Sequence, residues 1–245
     1  SAAPLRLKYN VICADHTRFG TDTALIGVSL GSRAFEKNKL KDLISWTTRH
    51  FDHTIIMLAE TLQRHNIMFQ MGVNATTAYD IAKSRGDAWI GRNRDTLEGL
   101  TIKRWDEFKD RDDVAIYKRA FQELYKNSPA FSVAVHKRLR SYYETLNSRN
   151  PEQFKLEHFD EFLSFSVNYL LEEAAVDTFF DQEIDGPVLY PGQLSFVLGG
   201  PEGFQKKQKL LNFHFVKARQ SPANTDINQR NTSGQSPATR SIPKP

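Results

Sequence analysis

The chain has 245 residues, 40% of them hydrophobic and 25% charged, which suits one sizeable globular core. No apolar run approaches the ~20 residues of a helical membrane span, and no stretch has a secretion-signal pattern. The single cysteine, Cys13, excludes an internal disulfide, and no Cys/His spacing matches a zinc site; a soluble cytoplasmic monomer without membrane or metal is expected.

The formal charge of +4 is unevenly placed. Residues 217–245 carry Lys217, Arg219, Arg230, Arg240 and Lys244 against Asp226, so the tail accounts for the excess and the body is neutral. From Leu156 to Gln205 there are ten acidic residues and no Lys or Arg. Lys83, Arg85, Arg92, Arg94, Lys103 and Arg104 cluster earlier. Such segregation can orient a charged partner.

In chain order, Arg6–Ala14 alternates loosely and reads as a strand. Ala24–Val28 is a short apolar run that suits a strand buried on both faces. Ser32–His50 reads as a helix, with Leu40, Leu43, Ile44 and Trp46 at helical spacing. His53–Ala59 is a third strand. Residues 73–98 read as a helix with one basic face. Leu100–Trp105 is a fourth strand. Asp112–Lys126 and Pro129–Leu146 are amphipathic helices, and a third long helix is expected from about Leu156 to Phe180. Val188–Tyr190 is a short fifth strand, ended by Pro191-Gly192. Strands alternating with helices imply a mostly parallel five-stranded sheet covered on both faces, an α/β domain over 1–216. Residues 217–245 are Ser/Thr/Asn/Gln/Pro-rich and read as a polar, disordered tail.

Three constellations bear on chemistry. Gly27-Val-Ser-Leu-Gly31 places Ser29 at the C-terminal end of a strand, where ligands collect in open α/β sheets. Its flanking glycines permit close approach. In Asn168–Ala175, Tyr169 and Glu173 are four apart and share a helix face. A hydroxyl and a carboxylate so placed can hold and deprotonate an amine, and the acidic, partly apolar surroundings favour a base role for Glu173. The neighbouring Glu172 reads as a solvated helix edge. In Gly186–Gly192, Tyr190 stands at a strand end. Gly27-x-Ser-x-Gly31 also satisfies the nucleophile elbow of serine hydrolases. Too little sheet precedes it for that fold, and the late histidines are unconvincing bases: His158 reads as a surface helix residue and His214 as part of a terminal aromatic cluster.

Together the three fragments resemble the cyclodipeptide synthase family. The N-terminal signature of that family is matched by Leu25-Ile26-Gly27-Val28-Ser29, with Thr23 in place of histidine. The C-terminal signature is matched by Tyr169, Leu170 and Glu173, with Ala175 in place of proline. Tyr190-Pro191, and Ser32 where another branch has asparagine, are similar to the X-Tyr-Pro branch. Leu58–Asn66 and Arg104-Trp105-Asp106 also look like the family.

The resemblance implies a Rossmann-like domain similar to the catalytic domains of class I tyrosyl- and tryptophanyl-tRNA synthetases. It implies two aminoacyl-tRNAs as substrates, a 2,5-diketopiperazine as product, and no ATP or other cofactor. Ser29 would carry the aminoacyl group. Gly27 would leave room for it, while Tyr169 and Glu173 hold its ammonium. A dipeptidyl-enzyme would follow and cyclise with Tyr190 relaying protons. Leu25, Met57, Val188 and Gln193 would line the pocket, and Lys83, Arg85, Arg92 and Arg94 would meet acceptor-stem phosphates. Two alternatives stand beside it: a serine hydrolase, and a tRNA-binding module without catalysis.

Overall fold

The structure, a computed structural model, describes residues 8–13, 23–183, 188–191 and 210–216, with side chains over 23–180 and 188–190. Strands β1 (Lys8–Cys13), β2 (Thr23–Val28) and β3 (His53–Leu58) come first, with helix α1 (Lys37–His50) between β2 and β3. After β3 come α2 (Arg64–Met71), α3 (Ala75–Arg92), α4 (Arg94–Leu97) and β4 (Thr101–Arg104). Helices α5 (Asp106–Lys109), α6 (Asp112–Asn127), α7 (Pro129–Arg149) and α8 (Phe159–Glu183) follow, then β5 (Val188–Pro191) and β6 (Leu210–Val216).

One sheet holds all six strands in the order β1-β6-β5-β2-β3-β4. Five run parallel, and β1 pairs antiparallel with β6 at one edge. The expected count of five is therefore wrong: Leu210–Val216 is a strand inserted between β1 and β5. That segment alternates apolar and polar residues (Phe213, His214, Phe215), a pattern of period two that the aromatic-cluster reading overlooked.

The alternation of strand residues sorts the core into two layers. Leu25, Met57 and Val188 meet α6, α7 and α8 through Phe121, Val135, Leu139, Tyr143, Leu171 and Phe180. Ala24, Ile26, Val28, Ile56, Leu58 and Leu189 meet α1, α3 and α4 through Leu40, Leu43, Trp89 and Leu97. Burying both faces is why these strands read as continuous apolar runs.

Three expected helices are subdivided. Ser32 opens a 3-10 turn, Arg33–Phe35, before α1 begins. The expected 73–98 helix breaks at Asn93 into α3 and α4. Leu156–His158 is a 3-10 turn leading into α8. Capping explains two clean starts. Asn74 Oδ1 accepts from Thr77 N at 2.9 Å ahead of α3, and Ser128 Oγ accepts from Phe131 N at 3.3 Å, with Pro129 following, ahead of α7.

Candidate active site

Strand order reverses between β2 and β5. From β2 the chain moves outward through β3 and β4, then returns to pair β5 with the other side of β2. Ligands bind outside the carboxyl ends of strands at such a reversal. Ser29 follows β2 directly, and Tyr190 lies on β5 one residue beyond the Ile26↔Leu189 pair. Ser29 is half-buried, its carbonyl accepts from Ser32 N at 3.4 Å, and Gly31 at φ +86° turns the chain away. Gly27 pairs with Met57 across the ladder. A Cβ on Gly27 would come no nearer than 3.9 Å to Met57 Cε. A methyl group would therefore fit at Gly27 in ordinary van der Waals contact with Met57.

Leu25 and Met57 are buried and Val188 half-buried, all in the layer that faces α8. Gln193 lies outside the described residues.

α8 supplies Tyr169, which is half-buried and packs on that layer. Its hydroxyl accepts a bond from Gln63 Nε2 at 3.3 Å, and Gln63 Oε1 accepts from Asn66 at 3.2 Å. Burial, then the charge of Glu173, drives the Tyr169 pKa well above the phenol range. Burial, then Glu173, also raises that of Tyr190. Tyr142 on α7 is raised by burial, against the charges of Arg149 and Arg138. Tyr169, Glu173, Tyr190 and Tyr142 therefore sense one another. The raised phenols remain protonated hydrogen-bond donors near neutral pH. Tyr190 also packs edge-to-face on Phe35, ring centroids 5.8 Å apart, which ties β5 to the turn after Ser29.

Sequence reading missed Gln63, Tyr142 and Arg138. Gln63 lies in the family-like stretch Leu58–Asn66; for the two α7 residues, only the shared helix side of Arg138 and Tyr142, four apart, was a signal.

Glu172 corrects an expectation. It is 1% exposed, not a solvated edge. Arg64 grips both of its oxygens, Nη1 to Oε1 at 2.8 Å and Nη2 to Oε2 at 2.5 Å. Trp105 Nε1 donates to Oε1 at 2.9 Å and Lys118 Nζ to Oε2 at 3.0 Å. His65 Nε2 stands 3.6 Å from Oε2. Burial pushes the Glu172 carboxyl up, but His65, Arg64 and Lys118 overcome it and hold the group far below the usual carboxylate range. The error has a physical source: two adjacent glutamates lie about 100° apart on a helix, so Glu172 turns into the protein while Glu173 stays half-buried.

The basic helix is also more divided than expected. Lys83, Arg85, Arg92 and Arg94 are all exposed. Arg85 and Arg92, seven apart, share one side of α3, whereas Lys83 lies about 200° round from Arg85. Arg104 Nη2 donates to the Lys83 carbonyl at 3.4 Å, and its Nη1 meets Asp87 Oδ1 at 2.5 Å, so that side carries mixed charge. Arg94 belongs to α4. Among the described residues, no group of three or more His, Cys, Asp or Glu is placed to hold a metal ion, and no helix is long and apolar enough to cross a membrane.

No protein-family model matches the sequence, and no curated protein does. Solved structures share the fold. One is a cyclodipeptide synthase from Fluoribacter dumoffii, with TM-score 0.72 and 22% identity, covering 87% of this chain and 100% of that one. A second is a cyclodipeptide synthase from Candidatus Glomeribacter gigasporarum bound to Phe-tRNAPhe, with TM-score 0.60 and 19% identity, covering 93% and 95%. A third is a Mycobacterium tuberculosis protein whose structure relates cyclodipeptide synthetases to type I tRNA synthetases, with TM-score 0.59 and 16% identity, covering 78% and 84%.

Proposed function

We propose that this chain is a cyclodipeptide synthase of the X-Tyr-Pro branch. It would join the aminoacyl groups of two aminoacyl-tRNAs and release a 2,5-diketopiperazine. One observation carries the reading: a fold shared with cyclodipeptide synthases over most of the chain sets Ser29 and Tyr190 at the sheet's reversal point, with Tyr169 and Glu173 on the helix facing it.

In this reading Ser29 Oγ attacks the ester carbonyl of the first aminoacyl-tRNA. The acyl–ribose bond breaks, a Ser29 ester forms, and the ribose oxygen leaves with the proton. Gly27 leaves space for the acyl chain. Tyr169, kept as a phenol, donates toward the substrate while Glu173 pairs with its ammonium. For the dipeptide to stay on Ser29, the amine of the Ser29-bound residue must attack the ester carbonyl of the second aminoacyl-tRNA, whose acyl–ribose bond breaks as the ribose oxygen leaves with a proton. That amine first loses a proton, and Glu173 is its nearest acceptor on α8. The new terminal amine then attacks the Ser29 ester, the ring closes, and Ser29 Oγ regains its proton, with Tyr190 as the relay. Holding both ends of one chain makes this last step effectively intramolecular. The ester to tRNA is already activated, so no ATP enters. Arg85, Arg92 and Arg94 would meet acceptor-stem phosphates.

The test is incubation with radiolabelled aminoacyl-tRNA, followed by mass spectrometry for cyclic dipeptides. Ser29→Ala should neither take label nor make product. Glu173→Gln should still label Ser29, while cyclic dipeptide falls by about 10²–10⁴-fold, the usual loss for a general base. Wild-type labelling of Ser29→Ala sinks the nucleophile. Turnover of simple esters without any cyclic dipeptide favours a serine hydrolase instead.

A further inference from the structure

α1 carries its cations where helix electrostatics disfavour them. The N-terminus of a helix holds partial positive charge, which repels nearby cations. Yet Lys37, Lys39 and Lys41 occupy the first turn and a half, and the first turn has no acidic residue. Between residues 33 and 41, Glu36 alone opposes Arg33 and these three lysines. Arg33, Lys37 and Lys41 are exposed. Lys37 also sits at φ +49°, the one left-handed non-glycine among the described residues. Glycine or asparagine would adopt that backbone with less strain, and strain of this kind clusters at functional positions.

The far end of α1 is different. Arg49 folds back on its own helix, Nε donating to Ser45 O at 2.8 Å and Nη2 to Ser45 Oγ at 3.2 Å. Asp42, half-buried beside Lys41 in the second turn, is raised by burial, against the charge of Arg49. Arg33, Lys37 and Lys41 are thus the exposed cations of the N-terminal end.

That end lies at the site. β2 runs toward the sheet edge that carries Ser29, and α1 returns from it to the start of the parallel strand β3. α3 packs in the same layer, and Trp89 Nε1 donates to the Phe35 carbonyl at 3.1 Å. Arg92, the basic residue in the last turn of α3, thus lies on the helix whose Trp89 meets the turn that carries Arg33.

We propose that Arg33, Lys37 and Lys41 form an RNA-backbone contact that guides the aminoacylated 3′ end of tRNA onto Ser29. The inference rests on the cyclodipeptide synthase reading and adds a second phosphate-binding surface to it. An ester bound at Ser29 draws the last nucleotides of its tRNA across this edge, and backbone phosphates are recognised by cations without sequence preference. A lipid surface fits less well. Membrane-surface helices pair their cations with an exposed apolar face, and among the described residues the large exposed hydrophobics (Met71, Ile116, Val133, Tyr142, Leu156) all lie off α1.

The test measures binding of the full chain to unmodified tRNA by fluorescence anisotropy over a range of salt. Wild type is compared with Arg33→Gln/Lys37→Asn/Lys41→Gln and, in parallel, with Arg92→Gln/Arg94→Gln. The triple variant should bind several-fold more weakly at low salt. Its log–log salt slope should be shallower by about 2–3, at roughly 0.9 per phosphate as for duplex DNA. Lys37→Asn alone should raise the melting temperature, because asparagine tolerates the left-handed backbone, and should still weaken binding. An unchanged slope in the triple variant, with wild type bound, overturns the inference and leaves the cyclodipeptide synthase reading intact. Wild type that neither binds tRNA nor makes cyclic dipeptide overturns both. Binding to phosphatidylglycerol vesicles but not to tRNA assigns the surface to lipid and also overturns it.

Discussion

Glu172 is a charge taken out of water and matched by cations from two other helices, Arg64 on α2 and Lys118 on α6. Burial of such a group is costly, and removing one partner leaves the others uncompensated. Glu172→Gln keeps the shape but sets an amide against Lys118 and Arg64. It should cost about 3 kcal/mol, read as a lower midpoint in urea. Replacing Glu172, Arg64 and Lys118 together by methionine should recover much of that loss, since a well-packed apolar substitute for a buried ion cluster is often neutral. The pH dependence follows from the same contacts. The folded Glu172 carboxyl is depressed below its ordinary 4.5. Its stabilisation is therefore present above that value and fades as pH falls below it. His65 is depressed below its ordinary 6.5, by burial first and with the charges of Arg64 and Lys118 adding to it. It too favours the fold above that pH, and the benefit is lost on acidification. Urea midpoints should fall in two stages from pH 7 to about 3, and Glu172→Gln should lack the lower stage. A variant with the same acid profile as wild type would show that Glu172 is not the group being titrated.

Among the elements, α3 is set by a close approach that only glycine permits. A Cβ on Gly86 would stand 2.7 Å from Glu60 Cγ, 2.9 Å from Glu60 Cβ and 3.0 Å from Arg104 Nη2. Glu60 is fully buried just beyond β3, its carboxyl is raised by burial and bonded to Arg104 Nε, and it cannot move aside cheaply. Gly86→Ala gains helix propensity but overpacks this contact, and should destabilise by about 1–3 kcal/mol, checked by thermal melting. Equal or higher stability would mean that α3 shifts outward at no cost. How much of an element shows in sequence follows from what it packs against. β2 and β3 were legible because both of their faces are buried and their residues are continuously apolar. The break at Asn93 was not, because Asn93 serves both helices: its backbone N–H donates to the Ile90 and Trp89 carbonyls, both at 3.2 Å, and its own carbonyl accepts from Thr96 N at 2.9 Å and Leu97 N at 3.0 Å. Ser29, Tyr169, Glu173 and Tyr190 stood out as residue types at strand ends and on one helix face. Gln63 and Glu172 did not, because Gln63 meets Tyr169 and Glu172 meets Arg64 across more than a hundred residues of chain.

For the whole molecule, the sheet order decides where the chain can be shortened. β6 pairs with β1 over six residues, Lys8↔Val216 to Cys13↔Leu211, and with β5 over four, Val188↔Leu210 to Pro191↔Phe213. It is the link between the edge strand and the strand that carries Tyr190. Removal of β6 would leave β1 without its ladder partner and expose one side of β5, so the backbone groups of three strands lose their bonds together. Residues 217–245 lie outside the described residues, and their composition offers little apolar surface to the core. A chain ending at Val216 should therefore melt at the wild-type temperature and keep its turnover at moderate salt, with any loss confined to low salt, where the +4 tail can speed encounter with an anionic partner. A chain ending at residue 209 should lose both, and amide exchange should rise across 188–191 before it rises in β2 and β3. If the shorter chain kept its melting temperature, β5 would be held by β2 alone, through Leu25↔Val188 and Ile26↔Leu189, and the site would owe nothing to the far half of the sheet. If instead the chain ending at Val216 were soluble but inactive at every salt concentration, the tail would belong to the catalytic unit, and the boundary drawn from composition would be in the wrong place.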